Sequence, residues 1–231
     1  MKAQGVVSRK AGEPTELEEI RIDPPGPGEV LVRIQASGVC HTDLHYKLGA
    51  INDDFPFLLG HEGAGVVEEV GEGVVEPEIG DYVILAWRAP CGNCRFCLVG
   101  KPHLCSGSLN ANPRMKTQGG ELLSPALGIG TFCTHTVVSA KQAVRVPNTC
   151  PPAQACLLGC GVMTGIGAAL YTAQVNRGNT VAVYGCGGVG CSAIMGAKMA
   201  GAQTIIGVDV LQNKLDWAKD FGATDVVDAG K

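Results

Sequence analysis

Cys91, Cys94, Cys97 and Cys105 lie within the fifteen residues CGNCRFCLVGKPHLC. Four thiolates at that spacing can close around one tetrahedral zinc, filling every ligand position as a structural site does. A knot of two disulfides is the rival. It fits poorly with an odd total of 11 cysteines and with an N-terminus, MKAQGVVSRKAGEP, that lacks the apolar core of a secretion signal. A second set is spread along the chain: Cys40 in GVCHTDLH, His61 in LLGHEGAG and Cys160 in LLGCGVMTG. Two thiols and one imidazole from three separated turns leave a fourth zinc position open, which is the arrangement of a catalytic metal.

The third chemical signal is Gly185-Cys186-Gly187-Gly188-Val189-Gly190, placed between the β-branched run TVAVY and a helix candidate. The first glycine can make the tight turn, the second admits a pyrophosphate, and the third lets helix pack on strand. The free N–H groups and positive dipole end of the helix then face the phosphates. Asp209 ends the next strand candidate, where its carboxylate can take both ribose hydroxyls and repel a 2′-phosphate, so NAD is expected over NADP. Lys214, a turn further on, is a candidate for the adenosine ribose, with a solvated helix-face lysine as the alternative.

Such residues need a scaffold of two textures. Up to about Val146 the chain reads as short β-type runs divided by turn signals: GVVS, VLVRIQASGV, GAGVVEEVG, DYVILAW and THTVVSA. After Pro147 strands alternate with helices: Thr180 to Tyr184, Val189 to Ala200, Thr204 to Val208, Gln212 to Phe221 and Asp225 to Val227. That order predicts parallel βαβ units. Three strands make one half of a doubly wound sheet, so a C-terminally truncated chain is expected. Domains are placed at 1–148, with the zinc lobe at about 88–110, and at 149–231. With 231 residues, 45% of them apolar and 17% charged, the chain has the balance of a soluble globular protein. A net charge of −4 provides no basic field for nucleic acid. Ala155 to Ala173 is uncharged and near membrane-spanning length, but four glycines interrupt it, and a buried helix with its approach is expected there.

These motifs together, GVCHTDLH, GHEGAG, CGNCRFC with Cys105, LGCGVMTG and GCGGVG followed by Asp209, resemble the zinc-containing medium-chain alcohol dehydrogenases over essentially the whole length. That family is itself the usual example of a Cys2His catalytic zinc. Within it, CHTDLHYKLGAINDDFPFLLGHE and ILAWRAPCGNC are most similar to the S-(hydroxymethyl)mycothiol dehydrogenases, which oxidise formaldehyde bound to a thiol. The resemblance implies an α+β GroES-like N-terminal β-barrel followed by a partial α/β Rossmann-type domain, two zincs per chain and NAD. It also implies a cytoplasmic homo-oligomer that acts on a small alcohol or aldehyde–thiol adduct, with neither nucleic acid nor membrane as partner.

Residue by residue, the resemblance makes Thr42 a hydroxyl proton relay, with a helix-start cap as its alternative, and His45 the terminal base facing solvent, with a surface imidazole as its alternative. Asp43 is placed to accept from His61, against a plain N-cap role, and Glu62 to approach the zinc from behind. Thr164 joins the cofactor contacts. Trp87 matches a position that lines the alcohol channel, unless it is a core aromatic; Arg88, Arg114 and Lys116 are candidates for an anionic thiol carrier. His41 and His103 are expected at the surface and His135 as strand filler. Cys133, Cys150, Cys156, Cys186 and Cys191 are expected as small core or loop residues. Cys160 argues against polyol dehydrogenases, which carry glutamate there, and the full zinc set against metal-free quinone reductases. Three rivals stand beside thiol-dependent oxidation: a general alcohol dehydrogenase, a non-catalytic zinc- and NAD-binding fragment, and a thiol-based sensor.

Overall fold

A computed structural model describes residues 1–230. By its internal contacts the chain divides into two compact units, Met1–Gly159 and Cys160–Lys231. The break therefore falls beyond the proline-marked boundary at 148/149. The reason is local: Ala155 and Cys156 are buried against Ala64 and Tyr82 of the first unit, so the short helical segment after Pro147 is part of its core.

The strands of the first unit are β1 (Lys2–Ser8), β2 (Glu16–Ile22), β3 (Glu29–Gly38), β4 (Phe57–Leu58), β5 (Glu62–Val70), β6 (Tyr82–Leu85), β7 (Met115–Thr117), β8 (Ser124–Pro125), β9 (His135–Ser139) and β10 (Ala143–Arg145). They form two five-stranded sheets, ordered β7-β2-β1-β4-β8 and β10-β6-β5-β3-β9. β1 alternates exposed and buried side chains over its first half, as a strand with one face on the core must. β3 is an interior strand of its sheet, antiparallel to both β5 and β9, and Val30, Leu31 and Val32 are all buried. Three short helices interrupt the sheets: α1 (His41–Lys47), α2 (Arg95–Leu98) and α3 (Pro152–Ala155). α1 follows β3 directly, so the chemistry-bearing GVCHTDLH segment leaves the end of a fixed strand.

The second unit runs through α4 (Gly161–Gly167), β11 (Thr180–Tyr184), α5 (Gly188–Met199), β12 (Thr204–Asp209), α6 (Gln212–Phe221) and β13 (Asp225–Asp228). Its three strands are parallel, in the order β11-β12-β13. Ile194 and Ala197 of α5 and Ala218 of α6 are buried with Ile205 of β12. Gly222, at φ 119°, ends α6 in the left-handed conformation typical of a helix C-terminus.

Ala155 to Ala173, expected as a buried helix and its approach, has helical character in pieces, the end of α3, a 3₁₀ turn at Cys156–Gly159, α4 and a π-helical turn at Ala168–Thr172, but it is not buried throughout. Glycines at the breaks weaken continuous helix, and Leu157, Leu158, Met163 and Tyr171 are exposed. Among the described residues no single helix is long and apolar enough to cross a membrane.

Candidate metal centres and dinucleotide loop

α1 starts where β3 ends, and Cys40 takes its N-cap position in an extended conformation. The carboxylate of Asp43, in the first turn, is buried and ties three backbone and side-chain groups together. Its Oδ2 accepts from Cys40 N at 3.0 Å, and its Oδ1 accepts from Gly60 N at 3.1 Å and stands 2.9 Å from His61 Nδ1. Asp43 is thus both a helix-start acceptor and the group that orients His61. With Nδ1 engaged in this way, the ring presents Nε2 on its opposite side as the ligand atom, the usual carboxylate–histidine arrangement of a metal site.

His61 is fully buried just before β5, and Glu62, the first residue of that strand, is buried too. Ligand atoms of Cys40, His61 and Glu62 lie within 4.8 Å of one another. Burial pushes the Cys40 thiol up, but hydrogen bonds from the Thr42 backbone and side chain and the nearby His61 ring outweigh it, so the thiol is held below its ordinary range. A thiolate, an imidazole and a carboxylate converging in a buried place fit zinc. Replacing Asp43 with asparagine should weaken metal retention about 10–100-fold, the usual loss when such an orienting partner goes, as read by chelator competition.

Thr42 is partly buried, and His45 is exposed with its ring edge-on to the exposed His41, centroids 5.0 Å apart. His103 is exposed, while His135 Nε2 stands 3.2 Å from Glu68 Oε2. Cys160, partly buried, opens the second unit as the residue before α4, and Thr164 is exposed on that helix.

In the lobe all four thiols of Cys91, Cys94, Cys97 and Cys105 lie within 4.8 Å. The Sγ–Sγ separations are 3.6 Å for Cys94–Cys97, 3.9 Å for Cys94–Cys105 and 3.5 Å for Cys91–Cys105. A tetrahedral zinc with bonds of about 2.3 Å needs sulfurs about 3.8 Å apart, so the cage fits that ion. All eleven cysteines are free thiols, which excludes the disulfide knot in this structure. Backbone N–H groups of Cys97 and Ser106 push the Cys94 thiol down to about 5, whereas burial pushes Cys97 up to about 11. Four thiols this close resist full ionisation until a cation neutralises them.

Arg88 and Arg114 are engaged inside the first unit, as is Lys116. Arg88 Nη2 donates to the Cys105 carbonyl, Arg114 Nε to Glu29 Oε2 at 2.7 Å and Lys116 Nζ to Asp23 Oδ2 at 2.7 Å. Their reading as contacts for an anionic carrier is therefore replaced by a structural one. Trp87 is partly buried against a core of Val30, Val32, Val67, Val83, Leu85 and Ile129. Asn110, which no sequence signal marked, donates to the Trp87 carbonyl at 3.1 Å. Only its environment identifies it.

At the dinucleotide loop Gly185 has φ 86°, the left-handed turn that a side chain would strain. A methyl at residue 190 would collide with the Gly185 carbonyl oxygen, so strand and helix touch through the glycine itself. Gly187 caps α5, while Gly188 and Val189 are exposed at its first turn. Gly190→Ala should cost about 1–3 kcal/mol through overpacking and weaken dinucleotide binding, as seen by thermal melting and fluorescence titration.

Asp209 Oδ2 accepts from Cys186 N at 2.8 Å, and Oδ1 from Val210 N at 2.8 Å and Leu211 N at 3.0 Å. The N–H groups of Cys186 and Leu211 hold its carboxyl below the usual range, against burial and with smaller help from the Lys214 charge. Lys214 is half-buried. Cys186 and Cys191 are buried, and burial pushes both thiols up, as it does for Cys133, which reaches about 12. They are core residues.

The family model for the alcohol dehydrogenase GroES-like domain matches residues 26–148, and that for the zinc-binding dehydrogenases matches residues 188–231. The S-(hydroxymethyl)glutathione dehydrogenase of Saccharomyces cerevisiae is 43% identical over 98% of this chain and 61% of the relative. A probable S-(hydroxymethyl)glutathione dehydrogenase of Schizosaccharomyces pombe is 42% identical over 99% of this chain and 63% of the relative. Among solved structures, an alcohol dehydrogenase zinc-binding domain protein from Burkholderia ambifaria superposes with TM-score 0.92 at 35% identity, covering 100% of this chain and 65% of that one. Benzyl alcohol dehydrogenase from Acinetobacter calcoaceticus gives 0.87 at 34%, covering 98% and 63%. The chain thus spans less than two thirds of the length of these relatives. A GroES-like first unit, a Rossmann-type second one and two family matches in that order establish that the chain belongs to the zinc-containing medium-chain alcohol dehydrogenases.

Proposed function

We propose that this protein oxidises a primary alcohol, and specifically an S-(hydroxymethyl)thiol adduct, to the carbonyl level with transfer of hydride to NAD. The observation that carries the reading is the buried Asp43–His61 pair beside the Cys40 thiol. Cys40, His61 and Cys160 would hold one zinc, and Cys91, Cys94, Cys97 and Cys105 a second. When bound, the first zinc supplies a Lewis acid that favours loss of the alcohol proton, and NAD supplies the hydride acceptor.

The chain's own groups do the rest. Asp43 fixes the orientation of the His61 ring. The Thr42 hydroxyl accepts the alcohol proton as it gives up its own toward His45, whose imidazole passes it to water. The Glu62 carboxylate, close to the Cys40 and His61 ligand atoms, would be available to the metal as a further ligand. Gly185, Gly187, Gly188, Val189, Gly190 and Thr164 contact the cofactor, with Asp209 and Lys214 at the adenosine ribose; the acid disfavours a 2′-phosphate. Trp87 narrows the channel toward one-carbon groups.

The thiol-adduct substrate is supported by two relatives named for S-(hydroxymethyl)glutathione at 43% and 42% identity. The test is zinc content per chain together with NAD-dependent turnover of formaldehyde plus glutathione or mycothiol, against ethanol. Two zincs with thiol-dependent formaldehyde oxidation are expected. Ethanol turnover alone leaves a general alcohol dehydrogenase, and neither activity overturns the enzymatic reading.

A further inference from the structure

We propose that Asn110 is a positioning residue through which the tetrathiolate lobe fixes Trp87, and with it the width of the substrate channel. The channel part rests on the reading of Trp87 above; the coupling does not. Every polar atom of the Asn110 amide is used. Oδ1 accepts from Ala89 N at 2.9 Å and from Ser108 Oγ at 2.8 Å; Nδ2 donates to the carbonyls of Trp87 at 3.1 Å and Leu127 at 3.5 Å. A side chain with its full complement of bonds has one orientation. It joins three segments: the exit of β6, the exit of the lobe and the turn at Ala126–Gly128.

Leu127 in that turn has φ 50°, an unfavourable conformation for a branched side chain that persists only where its surroundings impose it. Its N–H faces the Tyr46 hydroxyl at 3.4 Å while Asn110 holds its carbonyl. A second link runs beside the first. The Arg88 guanidinium lies 5.9 Å from the Trp87 ring centroid and donates to the carbonyl of Cys105, one of the four lobe thiol residues. Leu109 N donates to the Ala89 carbonyl at 2.8 Å. The segment Trp87–Ala89 is therefore bonded on both sides to the chain leaving Cys105, and the lobe cannot shift without drawing on Trp87.

The sequence has two tryptophans, Trp87 and Trp217, so Trp217→Phe leaves Trp87 as sole reporter. In that background Asn110→Asp keeps the acceptor bonds from Ala89 and Ser108 and loses the donors to Trp87 and Leu127; Asn110→Ala loses all four. Both variants are expected to shift Trp87 emission to longer wavelength. Both should also change the ratio of kcat/KM between a one-carbon adduct and a longer primary alcohol about fivefold, the scale of one hydrogen bond. Cys94→Ser, which removes a lobe thiol, should shift the same emission, and its effect should be smaller when Asn110 is already alanine. Unchanged Trp87 emission in both Asn110 variants overturns the proposal. A shifted emission with unchanged selectivity supports the coupling and overturns Trp87 as a channel residue, so the two readings fail separately.

Discussion

Replacing His61 with alanine is expected to leave one zinc per chain and to lower kcat/KM about a thousandfold or more. The figure follows from the several kcal/mol of charge stabilisation that a metal Lewis acid contributes, at one power of ten per 1.36 kcal/mol. His61 is fully buried. The substitution also strips Asp43 Oδ1 of the imidazole 2.9 Å away and leaves it with the Gly60 N–H alone. A buried acceptor deprived of a partner costs about 1–3 kcal/mol, so a modest fall in melting temperature should accompany the lost activity. Metal analysis and steady-state turnover on the same sample check the expectation. Retention of both zincs, or activity near that of the unaltered protein, would remove His61 from the catalytic set.

What the amino-acid sequence disclosed depended on whether a residue's partner was near it in the chain. The βαβ units were legible because each element carries its own pattern: Thr180–Tyr184 and Gln212–Phe221 were read with the bounds the structure has. The helix of the phosphate loop begins at Gly188, one residue before the expected Val189, because Gly187 is its N-cap. β2 was missed. Its sequence ELEEIRI has only Ile20 and Ile22 facing the core, and its strand identity comes from pairing with β1 and β7 on either side. β4 and β8, two residues each, exist only through such pairing.

The site divides in the same way. Cys91, Cys94, Cys97 and Cys105 form a short-range motif that spacing alone makes visible, whereas the role of Asp43 toward His61, 18 residues on, came from the family resemblance. Arg114 and Lys116 stand in the sequence as candidates for an anionic carrier or as surface charges, because Glu29 and Asp23, their partners, are more than eighty residues away in the chain. Asn110 had no signal at all. Its importance is a property of three segments meeting, and composition does not record that.

The same dependence on distant partners makes the lobe the least self-sufficient part of the first unit, and Cys94→Ser the other substitution with a large expected effect. Between Cys91 and Cys105 only Cys105 itself is buried, while Leu98 is 73% and Val99 68% exposed, so hydrophobic burial contributes little there. α2 is a single turn with no side-chain cap, too short to persist alone. Metal binding must therefore supply most of the order. Structural zinc contributes about 10–16 kcal/mol in small zinc-dependent folds, as much as the whole stability of many domains. Serine at 94 replaces a strong thiolate ligand with a hydroxyl that resists deprotonation. The expected outcome is loss of one zinc per chain, rapid proteolytic cleavage between residues 91 and 109, and a lowered melting temperature. The two five-stranded sheets have their own buried clusters around Val7, Ile20 and Leu58 and around Val30, Val83 and Leu85. They should keep their far-ultraviolet circular dichroism. Limited proteolysis beside metal analysis distinguishes this from general unfolding: cleavage confined to the lobe supports a metal-ordered element, and simultaneous cleavage across β1 to β6 would show that the lobe's zinc stabilises the entire first unit.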